Sequence, residues 1–385
     1  MRRGEGMTAD LKRGLADLEA RGRLRQLAPR VGLDFSSNDY LGLAESPELA
    51  AAVGEALARG VPVGAGGSRL LRGNHTEHET LEREAAAFFG SEAALYFATG
   101  FAANYAIFST LPQRDDIVVY DELIHASAHD GMRNGRAASV GVRHNDAGAF
   151  EEAIVSWRAA GGRGRPWLVV ESVYSMDGDR APIDDLVGIA RRHDGMLVID
   201  EAHATGVLGP DGRGLGAAYE GAGDVITLHT CGKALGASGA LVCGPRAVCD
   251  FLVNRGRAFV FSTAPSPLSA AAVRASLRIC RDEPQRRRKH ADLVSHATRE
   301  FAQCCGIACS GSHILPVVIG EDRRAVEIAL RLQSHGFDVR AVRPPTVPEG
   351  TARLRIAITL NVGADDVSRL ARVVGQALTT YGEGR

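Results

Sequence analysis

The 385-residue sequence contains no C-x-x-C pair. Its seven cysteines, Cys231, Cys243, Cys249, Cys280, Cys304, Cys305 and Cys309, are odd in number and irregularly spaced, a usage that argues against a disulfide framework and a zinc site and fits a reducing cytoplasm. No metal is expected. Excess charge is also missing: 45 Lys and Arg against 46 Asp and Glu leave a formal net charge of -1, which gives no support to a polyanionic partner such as nucleic acid. The basic runs "MRRG" at the start and "RRRK" at 286–289 carry no interleaved aromatics and read as solvated faces. No stretch approaches the ~18 uninterrupted apolar residues of a membrane span, and "MRR" is followed by no apolar h-region. Internal repeats and low-complexity segments are absent too. With 45% hydrophobic and 24% charged residues, the expectation is a soluble globular protein of about two to three domains.

Short apolar runs alternate with helical stretches. "DIVVYD" (116–121), "WLVVES" (167–172), "MLVIDE" (196–201), "VITLHT" (225–230) and "ALVCG" (240–244) are rich in β-branched residues and as short as buried parallel strands should be. Between them, segments such as "DDLVGIARRHDG" (184–195) are apolar at helical spacing, entered by an Asp cap and closed by Gly. This pattern predicts an α/β protein with a mostly parallel sheet. From about Pro267 a long helical stretch leads to two strand-like runs, 314–320 and 352–360, with a helix between them. Pro265 and Pro267 mark the joint to a smaller α/β domain, so the expected division is an N-terminal segment 1–45, a large domain 46–266 and a small domain 267–385.

In an open parallel sheet, ligands gather at the carboxyl ends of the strands. "WLVV" ends in Glu171 with Ser175 beyond it, "MLVI" ends in Asp200 with His203 beyond it, and "VITLH" ends in Thr230, followed by Lys233 in "HTCGKALGASGALVCG". Any one of these is most simply a cap or a surface residue. Together they place carboxylate, imidazole, hydroxyl and amine at one edge, the set that an aldehyde cofactor such as pyridoxal phosphate needs: an amine to capture it and a carboxylate at the ring nitrogen. His125 in "DELIHAS" offers an imidazole for the ring face. "ATGFAANYAIFSTL" (98–111) offers backbone N–H groups of Gly100 and Phe101 at a helix start for the phosphate.

Seven ordered segments carry a resemblance over nearly the whole chain: "FSSNDYLGL" (35–43), "GGSRLLRGN" (66–74), "SMDGD" (175–179), "DEAHATGVLG" (200–209), "GKALGASGA" (232–240), "FSTAPSP" (261–267) and "RPPTVPEGTARLRI" (343–356). In this order they resemble the α-oxoamine synthases, homodimeric pyridoxal-phosphate enzymes of the fold type I, aspartate aminotransferase-like class. That resemblance implies a large domain with a mostly parallel seven-stranded sheet and a smaller C-terminal α/β domain. It also implies that Lys233 holds the cofactor aldehyde and moves the α-proton, that Asp200 pairs with the pyridine nitrogen, and that Ser175 and His203 bind the phenolic oxygen. His125 would stack on the ring and assist the thioester carbonyl; Gly100, Phe101 and Thr230 would hold the phosphate, with Ser262 and Thr263 arriving from the partner subunit. Arg355 would grip the amino-acid carboxylate, with Arg353 as the competing candidate, while Thr346, Arg25 and Asn38 would lie near the substrates. The implied reaction condenses L-alanine with a pimeloyl thioester and releases carbon dioxide, the carrier being coenzyme A or an acyl carrier protein. A sister enzyme using glycine or serine with another acyl-CoA is the alternative.

A third reading is a non-catalytic cofactor-binding protein. A regulator of that kind needs an N-terminal DNA-binding module, for which the segment before residue 35 leaves no room, and a dead subunit usually lacks the lysine. Gly232 stands where many relatives carry Ser. Cys231 beside the site reads as a small hydrophobe, Glu171 as a network member or a packing residue, and His75 with His78 in "GNHTEHETLE" as a helix start rather than a metal pair.

Overall fold

The computed structural model describes residues 4–308 and 310–382, and it divides into two compact units. The larger comprises Asn38–Ser175 and Asp179–Lys289; the smaller comprises the described parts of Met1–Ser37, Met176–Gly178 and His290–Arg385. The helix Pro267–Asp282, which the sequence reading assigns to the second domain, therefore belongs to the larger unit. Cys309, the "MRR" start and the last three residues lie outside the described residues.

The larger unit is built on seven strands: β1 (Ala93–Phe97), β2 (Ile117–Asp121), β3 (Ala138–Val142), β4 (Pro166–Glu171), β5 (Met196–Asp200), β6 (Val225–Thr230) and β7 (Ala240–Gly244). Their order across the sheet is β1-β7-β6-β5-β4-β2-β3, all parallel except β7. The strands read as unbroken apolar runs because both faces are covered. Trp167, Val169, Met196 and Val198 pack into one core with Ala103, Ala106 and Ile107 of the helix Gly100–Thr110. Their neighbours Leu168, Val170, Leu197 and Ile199 pack into another with Leu186, Val187 and Ile189 of the helix Ile183–Arg192. Side chains alternate across a strand, so each face needs its own apolar set.

Two local expectations are corrected. The helix expected to start on an Asp cap is preceded by Pro182, which makes no side-chain cap bond, and Asp184 and Asp185 fall in its first turn. There they complement the positive end of the helix dipole instead of accepting a cap bond. The long helical stretch after Pro267 is two helices, Pro267–Asp282 and Pro284–Cys305, since Pro284 lacks the N–H needed to continue the first.

The smaller unit holds the antiparallel strands β8 (Ile314–Gly320), β9 (Arg340–Val342) and β10 (Ala352–Ala357) in the order β9-β10-β8, and Leu33–Asp34 pairs in parallel with Phe337–Asp338. Its core joins Phe35, Phe301, Leu315, Leu332, Ile356 and Leu370. No helix among the described residues is long and apolar enough to cross a membrane.

Candidate active site

The topology brings the polar strand ends together. Glu171 and Asp200 are register partners at the ends of β4 and β5. Thr230 ends β6 and faces Ala240, the first residue of the antiparallel β7, so the connecting turn 231–239 opens on the same edge. That turn is tight: Cys231 N–H donates to Gly239 O at 2.8 Å and Ala237 N–H to Cys231 O at 2.9 Å. Gly239 adopts φ +101°, and a side chain there would meet the Tyr96 ring at 2.4 Å. The turn carries Lys233. A cavity of about 500 Å³ at this edge is lined by Asn38, Gly100, Phe101, His125, Asp200, His203, Thr230 and Lys233 among others.

Within it, Lys233 Nζ lies 2.8 Å from His203 Nε2, and His203 Nδ1 lies 2.7 Å from the hydroxyl of buried Tyr40, which donates to Asn38 Oδ1 at 3.0 Å. Both oxygens of the Asp200 carboxylate are fixed, Oδ1 by Ala202 N–H at 2.9 Å and Oδ2 by Asn104 Nδ2 at 2.8 Å. His125 caps the helix Ala126–Arg133, accepting the Ser127 N–H at Nδ1, and burial together with the Lys233 charge holds its pKa below the usual histidine range. Burial, reinforced by the Asp200 charge, pushes the Glu171 carboxyl up to about 8, so this acid is mostly protonated at neutral pH.

One end of the cavity is a helix start. Thr99 Oγ1 accepts the Ala102 N–H at 3.0 Å, and the first-turn residues Gly100 and Phe101 line the cavity with backbone N–H groups that no helical carbonyl reaches. A Cβ on Gly100 would stand 2.7 Å from Thr230 Cγ2. Only glycine lets Thr230 pack against this helix end. An amine, a fixed carboxylate across the floor and an anion-binding helix start are the donors and acceptors that pyridoxal phosphate requires, so the residues fit that group.

The remaining expected residues lie elsewhere. Ser175 is absent from the lining and joins it through its N–H to Glu171 Oε2 at 3.1 Å. Ser262 and Thr263 line a separate small cavity with Arg69 and Phe259. In the smaller unit, Arg25 Nη2 donates to Thr346 Oγ1 at 3.0 Å, Arg355 is buried on β10, and Arg353 is ion-paired to Asp177. Asn104, Ser127 and Tyr40 are site residues the sequence reading did not single out. Asn104 had one signal: it stands one helical turn after Gly100, a lone amide on the apolar face of "GFAANYAIF".

Four further residues resolve simply. Cys231 is fully buried and burial raises its pKa far above the thiol range, so it acts as packing. Gly232 lines the cavity, and a Cβ there would touch only Ala237 O at 3.8 Å. His75 is the N-cap of the helix Thr76–Phe89 and His78 completes the capping box; among the described residues no cluster of metal ligands occurs.

The fold and this site define a pyridoxal-phosphate enzyme of fold type I. Residues 30–374 match the family model "Aminotransferase class I and II", and the chain belongs to that family. It is 42% identical over 364 residues to the 8-amino-7-oxononanoate synthase of Chromobacterium violaceum, covering 91% of this chain and 94% of that one. The 8-amino-7-oxononanoate synthase of Anaeromyxobacter dehalogenans is likewise 42% identical, over 91% of this chain and 87% of its own. Among solved structures, a variant serine palmitoyltransferase from S. paucimobilis with a bound PLP–myriocin aldimine superposes with TM-score 0.87 at 26% identity, covering 99% of this chain and 100% of that chain.

Proposed function

We propose that this chain condenses L-alanine with a pimeloyl thioester, releasing carbon dioxide and the thiol carrier, to give 8-amino-7-oxononanoate for biotin biosynthesis. The observation that carries the reading is a Lys233 amine 2.8 Å from His203, beside a doubly held Asp200, in a chain 42% identical to enzymes named for that product. Pyridoxal phosphate, when bound, supplies the electron sink for carbanion chemistry at the substrate α-carbon.

The chain's residues supply the rest. Lys233 holds the cofactor and then moves the α-proton at Nζ. Asp200 would pair with the pyridine nitrogen and favour its protonated form; His203 and Ser175 would serve the phenolic oxygen. Gly100 and Phe101 N–H groups with the Thr230 hydroxyl bind the phosphate. His125, which lines the cavity, would cover the cofactor ring and serve the thioester carbonyl. Arg355 binds the amino-acid carboxylate with its guanidinium fork; Asn38, Arg25 and Thr346 serve the substrates. The protein acts as a cytoplasmic homodimer, with Ser262 and Thr263 completing the partner's phosphate site.

A second reading, a sister synthase using glycine or serine with another acyl-CoA, draws on the likeness to serine palmitoyltransferase, at the lower identity of 26%. A steady-state panel of alanine, glycine and serine against pimeloyl, succinyl, acetyl and palmitoyl thioesters tests the choice. The alanine–pimeloyl pair is expected to give the highest kcat/KM; preference for glycine or serine would overturn it.

A further inference from the structure

The helix whose start lines the cavity also sends one amide across its floor. Asn104 is only 3% exposed and gives both hydrogens of its Nδ2 to the site: one to Asp200 Oδ2 at 2.8 Å and one to Ser127 Oγ at 3.1 Å. Ser127 is fully buried, and its Oγ lies 2.8 Å from His125 Nδ1.

The direction of each bond follows from what each atom can do. The Ser127 backbone N–H, which can only donate, also points at His125 Nδ1, at 3.2 Å. Nδ1 is therefore the acceptor, and the imidazole carries its proton on Nε2. The Ser127 hydroxyl, already accepting from Asn104, spends its own hydrogen on the same Nδ1. The chain of donation runs from Asn104 to Asp200 on one side and from Asn104 through Ser127 to His125 on the other.

We propose that Asn104 is a positioning residue that couples the two groups bracketing the cofactor: it aims the Asp200 carboxylate and, through Ser127, fixes the His125 ring with its N–H on Nε2, as a hydrogen-bond donor to the acyl substrate. The proposal rests on the reading that Asp200 and His125 serve pyridoxal phosphate. An amide suits the task because it offers two hydrogens in one plane, whereas a carboxylate of the same shape offers none and would stand beside Asp200 as a like charge. Burial makes the bonds matter, since a carboxylate that loses a donor away from water is not compensated by solvent.

The test titrates cofactor-free protein with pyridoxal phosphate, following its absorption, and records ¹⁵N ring signals of His125 assigned with His125→Gln. The wild-type ring is expected to be neutral with its proton on Nε2. Asn104→Ala is expected to weaken cofactor binding at least tenfold. Ser127→Ala, which leaves the Asp200 arm intact, is expected to bind within threefold of wild type while the His125 ring, left with only the backbone N–H on Nδ1, populates the Nε2–H tautomer less completely than wild type. A purely packing role would lower melting temperature without moving the ring signals. Asn104→Ala binding within twofold of wild type, or an unchanged His125 tautomer in Ser127→Ala, overturns the proposal. Should Asn104→Ala fail to fold, Asn104→Ser, too short to span to Asp200, is read by the same limits. Asp200→Asn in the same titration separates the layers. If wild type takes up no cofactor, or Asp200→Asn binds as wild type, the reading of Asp200 falls and the Asn104 role with it. If Asp200→Asn loses affinity while Asn104→Ala does not, only the Asn104 role falls.

Discussion

Replacing Gly100 by alanine sets one methyl group against another. The new Cβ would lie 2.7 Å from Thr230 Cγ2, where carbon atoms settle at about 3.5–4.0 Å. Either the helix start retreats or Thr230 rotates. Overpacking of this kind costs about 1–3 kcal/mol, and rotating Thr230 also breaks its 3.3 Å hydrogen bond to Ala202 O, worth about 1 kcal/mol. Both responses disturb the atoms assigned to the phosphate, the first-turn N–H groups and the Thr230 hydroxyl. If half of a roughly 3 kcal/mol strain falls on the loaded state, cofactor affinity drops by about tenfold. Titration of cofactor-free protein with pyridoxal phosphate measures this directly. Adding Thr230→Ser, which keeps the hydroxyl but deletes the colliding methyl, should restore most of the loss, because the two changes meet in one contact and do not add. Wild-type affinity in Gly100→Ala, or no recovery in the double variant, would refute the reasoning.

Other predictions follow from buried groups. Glu171, with a pKa near 8 in the folded protein, binds more protons folded than unfolded between about pH 4.5 and 8, so its contribution to stability falls as pH rises through that window. Glu171→Gln should therefore gain in melting temperature relative to wild type from pH 5 to pH 8, and a gap that shrinks over that range would contradict the assignment. His144 sits between Asp121 and Asp179 at 2.8 and 2.6 Å, and burial is outweighed by these carboxylates, which raise its pKa to about 10. Its stabilising charge is thus present below the unfolded value of about 6.5 and lost only as pH climbs through 10. Denaturant unfolding of His144→Gln at pH 7 should show a loss of about 2 kcal/mol. Cys231→Ala should keep activity within twofold, and alkylating reagents should leave Cys231 unlabelled in the folded protein.

Much of this architecture is legible in the residues. The five strands read for the larger sheet are all in it because strands buried on both faces leave a continuous apolar run, although 240–244, expected as a parallel strand, runs antiparallel as β7. The two unread strands lack that signature: β3 is exposed at the sheet edge and carries Gly141, and β1, at the other edge, is a short run of Ala and aromatics. The candidate site was legible where chemistry concentrates at strand ends, as with Glu171, Asp200, Thr230 and Lys233. Asn104, Ser127 and Tyr40 escaped because each reaches the site from another element, and only the packing of helix against sheet shows what its polar atom meets. The capping role of His75 and His78 was readable because a cap is a local arrangement, settled within four residues. The division into units was harder to read, since the smaller one gathers pieces from both ends of the chain and from 176–178.

The central claim is that Lys233 captures the cofactor for chemistry on L-alanine. Purified wild-type protein loaded with pyridoxal phosphate should be yellow, with the absorption band of a lysine-bound aldehyde that shifts on adding L-alanine, and Lys233→Ala should lack that band. A wild-type protein that stays colourless with added cofactor, or a Lys233→Ala variant with an unchanged band, would contradict the account.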